Sequence, residues 1–176
     1  MLVPEEIELP SGKLVRYTRD LVEECEIWIK KDPYLRYMPA RDPKEWVPFS
    51  LEELTNNIFL SFFIIRDEKG IMVGIIHCNV SRVLWFEIYD RPDLEYVDDG
   101  LINIVMTESY ISETSLPTEA VSEIMKFVKS KFPDIFCFST DIYRKEKTLF
   151  DVYTSLGFKE ARRCESPGSR AFLIKK

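Results

Sequence analysis

The sequence predicts an α/β protein in which helices flank one mixed central β-sheet, in a single domain of residues 1–176. Hydrophobic residues make up 45% of the chain and aromatic residues 13%, which is enough for a sizeable packed core. Segments with the three- and four-residue spacing of helices alternate with short strand-like runs. The second half repeats the order strand, helix, strand, helix, which favours a sheet covered by helices.

The first half begins with a strand over residues 13–20 and a helix over 21–31, by their apolar spacing. Residues 32–50 are so rich in proline that they exclude a regular helix or a central strand, and we expect an ordered loop. Ser50 is a predicted cap for a short helix over 51–59. Residues 61–80 form two β-rich runs around the polar turn Asp67–Gly70 and predict a hairpin.

The second half continues with a third β-rich run over 82–90, an acidic loop over 91–100 and a strand over 101–111. Residues 116–131 have helical spacing, with Ser115 as the predicted cap. A buried strand over 135–142, a helix over 145–156 and a terminal hairpin complete the chain. Because the helix 116–131 connects them by a right-handed crossover, the strands 101–111 and 135–142 are predicted to be parallel neighbours.

Charge and composition narrow the classes of function. The net charge of −6 argues against nucleic-acid binding and mildly favours cationic partners. No apolar run approaches the roughly eighteen residues that span a bilayer, and the acidic N-terminus lacks a signal pattern, so we expect a cytoplasmic protein. Scattered cysteines and a single histidine, His77, predict reduced thiols and no metal site. The absence of glutamine and the 31% of charged residues are typical of a thermophile.

Residues 118–158 resemble the second half of the GNAT acyltransferase superfamily. "TEAV" is similar to the start of the long helix in its ribosomal-protein-acetylating branch, and "LFDVYTSLGF" is similar to its closing pattern lYeklGF. The resemblance implies a GNAT-like acyl-CoA acyltransferase fold and an N-acetyltransferase. Its acetyl group would pass from acetyl-CoA to a primary amine of a small molecule or a protein, and a homodimer is compatible with it.

The segment that matches the family's pyrophosphate-binding loop differs from the family pattern R/Q-x-x-G-x-G/A. In "SETSLPTEA", residues 112–120, Ser112 stands for the arginine, Glu113 and Ser115 stand for glycines, and Pro117 has no amide to donate. The resemblance implies acetyl-CoA contacts at Val105, Met106, Thr107, Ser112, Glu113, Thr114, Ser115, Leu116, Glu146 and Phe150. Glu146 replaces an asparagine that is frequent in the family. An inactive GNAT-fold binding module that has lost acetyl-CoA is therefore the alternative, and an unrelated α/β domain is a third reading.

Two residues are candidates for catalysis by the same resemblance. Tyr153 falls on the family's tyrosine position and would act as the general acid that protonates the leaving thiolate. Helical spacing alone also explains an inward-facing aromatic residue there, so a core tyrosine is the alternative. Glu108, near the end of the strand 101–111, is the candidate base, and an ordinary solvated acid is the alternative.

The segment 85–99 combines acids with large aromatic residues. Around a cleft, such a mixture would attract and hold a cationic amine. The predicted substrate-binding residues are Trp85, Glu87 and Tyr89. An exposed acidic loop with a few packed rings explains the same composition.

Overall fold

A computed structural model describes residues 4–31, 60–84, 96–143, 146–163 and 170–176. Eight strands of this part of the chain form one mixed sheet in the order β1-β2-β3-β4-β5-β6-β8-β7. The strands are β1 (Glu6–Leu9), β2 (Gly12–Arg16), β3 (Leu60–Asp67), β4 (Met72–Leu84), β5 (Tyr96–Met106), β6 (Cys137–Tyr143), β7 (Lys159–Arg163) and β8 (Arg170–Lys175). The helices are α1 (Val22–Lys31), α2 (Glu108–Glu113), α3 (Leu116–Lys131) and α4 (Lys147–Ser155), and the predicted mixed α/β architecture is thereby confirmed.

Most predicted elements appear where the apolar spacing placed them. These are β2, α1, the β3–β4 hairpin, α3, β6, α4 and the closing hairpin of β7 and β8. The predicted parallel pair is confirmed, because β5 and β6 run in the same direction and pair at Asp99–Leu101. The loop 32–50, the helix 51–59 and the substrate residues Trp85, Glu87 and Tyr89 lie outside the described residues.

Several boundaries differ from the prediction. The strand predicted over 13–20 ends at Arg16, and Arg19–Leu21 form a short 3-10 helix before α1. The N-terminal segment forms β1, which was not predicted and which pairs with β2 across a tight turn. Residues 82–84 continue β4 and do not begin a separate strand. Residues 96–100, predicted as acidic loop, are the start of β5, because every one of them pairs with β4. The strand predicted over 101–111 ends at Met106, and the chain then turns into α2.

The end of β5 has a local cause. The amide of Thr107 still donates to the carbonyl of Val73 on β4, at 2.9 Å. The carbonyl of Thr107 then accepts the amides of Tyr110 and Ile111, which closes the first helical turn. Glu108 is therefore the first residue of a short helix rather than the end of a strand.

The sheet has an apolar cluster on each face. On one face α3 and α4 pack against even-numbered residues of β5, including Ile102, Ile104 and Met106. On the other face, which we call the α1 face, a smaller cluster includes Tyr17, Ile64 and Ile75. Side chains along a strand alternate between faces, so the odd-numbered residues of β5 belong to the α1 face. None of the helices described here is long and apolar enough to cross a membrane.

Helix α4 ends as its sequence predicts. Gly157 has a φ of 88°, the left-handed conformation that commonly follows the last turn of a helix. The amide of Phe158 donates to the carbonyl of Tyr153 at 3.1 Å, and its ring folds back onto that of Tyr153, with the centroids 5.2 Å apart. This stop holds Tyr153 on the inner face of α4, in the core.

Candidate active site

A gap opens between β5 and β6 toward their carboxyl ends. The two strands pair only where Asp99–Leu101 lie opposite Cys137–Ser139. Beyond that stretch β5 stays paired with β4 as far as Met106, and β6 stays paired with β8 as far as Tyr143. Each strand is thus held by its outer neighbour, and the inner edges of both strands face the gap.

Main-chain groups of β5 line this gap. Phe136 donates its amide to the carbonyl of Asp98, so the even-numbered residues of β5 direct their main-chain groups toward β6. Because the direction alternates along a strand, the peptide groups of Ile104 and Met106 also face the gap. A ligand chain with amide groups could bind to this edge as an added strand would.

The hydroxyl of Tyr153 lies at the closed end of the gap. The side chain is fully buried, and its hydroxyl donates to the carbonyl of Ile102 at 3.0 Å, the first residue beyond the paired stretch. Burial raises the pKa of Tyr153, and hydrogen bonding with the Thr140 side chain and the main chain of Ile104 offsets part of that rise. The phenol is therefore protonated at neutral pH and can donate a proton.

A second polar group on the α1 face reaches across the gap. Asn103 on β5 lies 3.4 Å from the Nε2 of His77 on β4, and its Oδ1 accepts the hydroxyl of Thr140 on β6 at 3.4 Å. Burial lowers the pKa of His77 to about 4, so the ring is neutral at physiological pH. Sequence reasoning assigned no role to Asn103 or Thr140, because the two lie in different strands that only the sheet brings together.

A buried carboxylate lies next to the gap, in the paired stretch. Asp99 is 3% exposed and accepts hydrogen bonds from the hydroxyl of Ser139 and the thiol of Cys137. Burial raises the pKa of Asp99, while the bonds from Ser139, Cys137 and the Gly100 main chain oppose that rise. The sequence placed Asp99 in an exposed loop and so missed it as a candidate.

The start of α3 is closed by one of its own acids. The carboxylate of Glu119 accepts the amide and the hydroxyl of Ser11, both at 2.9 Å, and the hydroxyl of Ser115 at 2.7 Å. Ser115 occupies the predicted capping position, but its hydroxyl bonds to this carboxylate and caps no backbone amide. Ser11 belongs to the β1–β2 turn, so the contact ties that turn to the helix. We call this arrangement the Ser11–Glu119 contact.

An acidic cleft of about 420 Å³ adjoins the start of α3. It is lined by Ser11, Asp67, Glu68, Lys69, Tyr110, Glu113, Thr114, Ser115 and Leu116. Burial raises the pKa of Asp67, but stronger hydrogen bonding, from the Tyr110 hydroxyl and two amides, brings it below its usual value. Three carboxylates thus face one ammonium group, Lys69, in this lining.

Comparison with solved structures identifies the fold. No protein-family model and no curated protein matches the sequence. A ribosomal-protein alpha-N-acetyltransferase, RimL, superimposes with a TM-score of 0.68 at 13% identity, covering 99% of this chain and 99% of that chain. NAA60 of Arabidopsis thaliana, in complex with a bisubstrate analogue, gives 0.67 at 14% identity over 92% of this chain and 95% of its own. The aminoglycoside acetyltransferase AAC(6')-Ib with coenzyme A gives 0.67 at 15% identity over 93% of both chains.

The chain has the GNAT fold. The GNAT-like fold expected from residues 118–158 is thereby confirmed, and β5, α3, β6 and α4 form the second half of that fold. The gap between β5 and β6 is the feature that these elements create together. Helix α4 then brings Tyr153 to the closed end of it.

The predicted acetyl-CoA contacts fall into two groups in this GNAT fold. Val105, Met106 and Thr107 lie at the open end of β5, but the amide of Thr107 is already bonded to Val73. Glu146 precedes α4, where its carbonyl accepts the amide of Phe150. The second group lies at the α2–α3 junction, with Leu116 buried and the rest exposed: Ser112, Glu113, Thr114 and Ser115.

The two groups fit acetyl-CoA differently. The pantetheine arm is an uncharged chain with two amides, and the free main-chain edge of β5 matches it. The diphosphate is an anion, whereas the α2–α3 junction carries acidic side chains. Pro117 replaces an amide donor there, and the Ser11–Glu119 contact adds a further carboxylate. The residues therefore fit the arm and do not fit the diphosphate. Among the described residues no cluster of three or more metal-binding side chains occurs.

Proposed function

We propose that this protein is an N-acetyltransferase that moves an acetyl group from a pantetheine thioester, in acetyl-CoA or a related donor, to a primary amine. The observation that carries the proposal is the Tyr153 hydroxyl at the closed end of the β5–β6 gap. A buried, protonated phenol beside a free strand edge suits a reaction that releases a thiolate there. Several of the GNAT-fold neighbours are themselves described as acetyltransferases, which supports the same class of reaction.

Tyr153 acts in this proposal as the general acid. The amine nitrogen attacks the thioester carbonyl, a carbon–nitrogen bond forms, and the carbon–sulfur bond of the tetrahedral intermediate then breaks. The departing sulfur takes the proton from the Tyr153 hydroxyl, and the proton lost by the amine returns to the phenolate through solvent or a base. The Ile102 carbonyl, which now accepts the hydroxyl, keeps it directed into the gap.

The base remains a choice between two carboxylates. Glu108 is exposed at the start of α2, two residues beyond the end of β5, and could take a proton from the amine through a water molecule. Asp99 is buried beside the gap, and its raised pKa makes it a stronger base than an ordinary carboxylate. Glu108→Gln and Asp99→Asn separate the two, because only the variant of the working base should lower turnover and shift its pH profile.

The direct test measures amine-dependent release of free thiol from acetyl-CoA and from S-acetylpantetheine. The acceptors are a polyamine, an aminoglycoside and a peptide with a free N-terminus, which sample the amine classes of the structural neighbours. Tyr153→Phe keeps the ring and removes the acid, so we expect turnover to fall about a hundredfold. The variant also leaves the Ile102 carbonyl without its partner, so we expect a loss of about 1–3 kcal/mol in stability.

Turnover is therefore compared at a temperature where both proteins are folded. Tyr17→Phe, in the cluster on the α1 face, is the matched control and should keep full turnover. A Tyr153→Phe protein as active as the wild type would show that Tyr153 is only a core residue.

The alternative function is a GNAT-fold binding module without acyl transfer. The acidic start of α3 favours it, because an anionic donor is repelled there. A wild-type protein that releases no thiol with any acceptor, and whose melting temperature no donor raises, would favour the binding module and contradict the transferase.

A further inference from the structure

We infer that this chain holds its acyl donor by the pantetheine arm alone, and that Glu119 closes the start of α3 to the diphosphate of coenzyme A. The inference rests on the proposed function, since it concerns the donor of that same reaction. It makes Glu119 a residue that sets donor specificity. The donor class is then acyl-pantetheine thioesters in general, in which a nucleotide, where present, adds no binding energy.

The Ser11–Glu119 contact lies beside the place that an anion would take, since the Glu119 carboxylate accepts the hydroxyl of Ser115, the residue that precedes the first turn of α3. A helix start attracts anions because its first amides point outward and its dipole is positive there. In this chain the Glu119 carboxylate already supplies that negative charge, and it is held by three donated hydrogen bonds of 2.7–2.9 Å. A diphosphate would have to displace a carboxylate that is covalently part of the helix.

The surroundings of this contact add to the exclusion. Pro117, in the first turn of α3, has no amide, and the amide of Glu119 is bonded to the Ser115 carbonyl at 3.0 Å. In the adjoining cleft Asp67, Glu68 and Glu113 outnumber Lys69. An approaching diphosphate therefore meets net negative charge and few free donors.

The pantetheine arm of the donor is not repelled in this way. Its binding edge is the main chain of β5 beyond the Ile104 amide, which already bonds to Tyr153: the Ile104 carbonyl and the Met106 amide face the gap and bind an uncharged chain. The pantetheine arm is neutral, so the acidic side chains at the α2–α3 junction do not weaken its binding. The β5–β6 gap thus binds the thioester end of the donor, and the α2–α3 junction repels its nucleotide end.

The first test compares binding of acetyl-CoA and S-acetylpantetheine to the wild-type protein by calorimetry at low and high salt. We expect acetyl-CoA to bind no more tightly than S-acetylpantetheine at about 50 mM salt, since the diphosphate adds repulsion and no attraction. Raising the salt to about 500 mM should tighten acetyl-CoA binding, because it screens the repulsion, and should leave S-acetylpantetheine unchanged. Acetyl-CoA that binds more tightly than S-acetylpantetheine, and whose binding weakens with salt, would overturn the inference.

The second test removes the charge. Glu119→Gln keeps the side chain's size and one accepting oxygen, and we expect it to tighten acetyl-CoA binding about tenfold while S-acetylpantetheine binding stays the same. Glu123→Gln is the matched control, because Glu123 lies one turn further along α3 and pairs with Lys126 at the surface. Acetyl-CoA binding that is equal in wild type and Glu119→Gln would overturn the role of Glu119.

The outcomes separate this inference from the proposed function. Tight, salt-weakened binding of acetyl-CoA with measurable acetyl transfer would overturn only the inference. Failure of both donors to bind the wild-type protein would overturn the proposed function, and the inference with it. The salt series uses the wild-type protein throughout, so it decides the matter even where a variant folds poorly.

Discussion

His77 and Asp99 show how burial sets the protonation of single side chains in this sheet. Both lie on the α1 face, on neighbouring strands β4 and β5. Burial disfavours the charged form of each, so it lowers the pKa of His77 to about 4 and raises that of Asp99. The imidazole is thus neutral at physiological pH, and the polar group it forms with Asn103 carries no positive charge toward the gap.

His77 should make the protein less stable in mild acid. Its pKa in the folded protein, about 4, is below its ordinary value of 6.5, so the unfolded chain binds the proton first. Stability from this group is complete above about pH 6.5 and is lost as the pH falls toward 4. Because the chain has a single histidine, NMR titration of its ring gives the pKa directly.

The expected result is a ring that titrates near pH 4, and a His77→Gln variant whose stability changes less than the wild type's between pH 6.5 and 4. The raised pKa of Asp99 acts in the opposite direction, since stability is lost as the pH rises from 3.8 through that pKa. Wild type and variant share Asp99, so the difference between their pH profiles isolates His77. An imidazole that titrates at its ordinary value would contradict the lowering of its pKa by desolvation within the sheet.

Tyr153 serves two purposes within one side chain. Its ring is core, packed edge-on against Phe158, and its hydroxyl is polar, placed where β5 and β6 separate. Replacing Tyr153 with phenylalanine keeps the ring and costs stability through the hydroxyl alone. The hydroxyl has a buried partner at Ile102, and removing it leaves that carbonyl unsatisfied.

At the scale of the element, the end of α4 controls where Tyr153 points. Gly157 takes the left-handed conformation, and Lys175 donates from its Nζ to the carbonyl of Leu156 at 2.7 Å. A Cβ at position 157 would meet only the flexible end of Lys175, 4.0 Å away. The cost of a side chain there is therefore backbone strain and not a clash.

Gly157→Ala should lower the free energy of unfolding by about 1–2 kcal/mol, the cost of a left-handed conformation for a residue with a Cβ. Gly157→Asn should cost less, because asparagine tolerates that conformation better. Chemical denaturation measures both. Equal stability of Gly157→Ala and the wild type would mean that α4 can end in another way without penalty.

At the scale of the whole molecule, the sheet consists of two parts joined by a short seam. Strands β1 to β5 form an antiparallel series, and β6, β8 and β7 form another. Among the described residues, the pairs between Asp99–Leu101 and Cys137–Ser139 and the adjacent bond from Phe136 to Asp98 connect them within the sheet, while α3 and α4 cover one face of both. The short seam is what leaves the main chain of β5 free to bind a ligand.

Donor binding should protect the amide of Met106 from hydrogen exchange. This amide faces the gap, whereas the amide of Thr107 is bonded to Val73 whether or not a ligand is present. Exchange measured by NMR should therefore slow at Met106 when S-acetylpantetheine is added, by about tenfold or more at saturation. Thr107 is the internal control and should change little.

A donor that binds at saturation without slowing exchange at Met106 would place the arm elsewhere. Slowing at Thr107 and Met106 alike would indicate general stabilisation of the protein instead of a contact at the gap.

The sequence by itself determined the elements whose signals are local. Helices α3 and α4 follow from apolar spacing, the β3–β4 turn from its polar residues, and the end of α4 from Gly157. The parallel pair β5–β6 follows from the helix between them and the right-handed crossover rule. These features depend on residues that are close together in the sequence, so a local pattern is enough to predict them.

Only the tertiary structure decided the features that depend on distant partners. The sequence predicts that Asp99 lies in an acidic loop, yet it is buried between two paired strands, where Ser139, 40 positions away, donates to it. From the sequence, Glu119 is an ordinary acidic residue in the first turn of a helix. In the structure it accepts a hydrogen bond from Ser11, 108 positions away, at the start of α3. A charged side chain is buried or bound only when the fold supplies a donor to offset its lost hydration, and no local pattern names that donor.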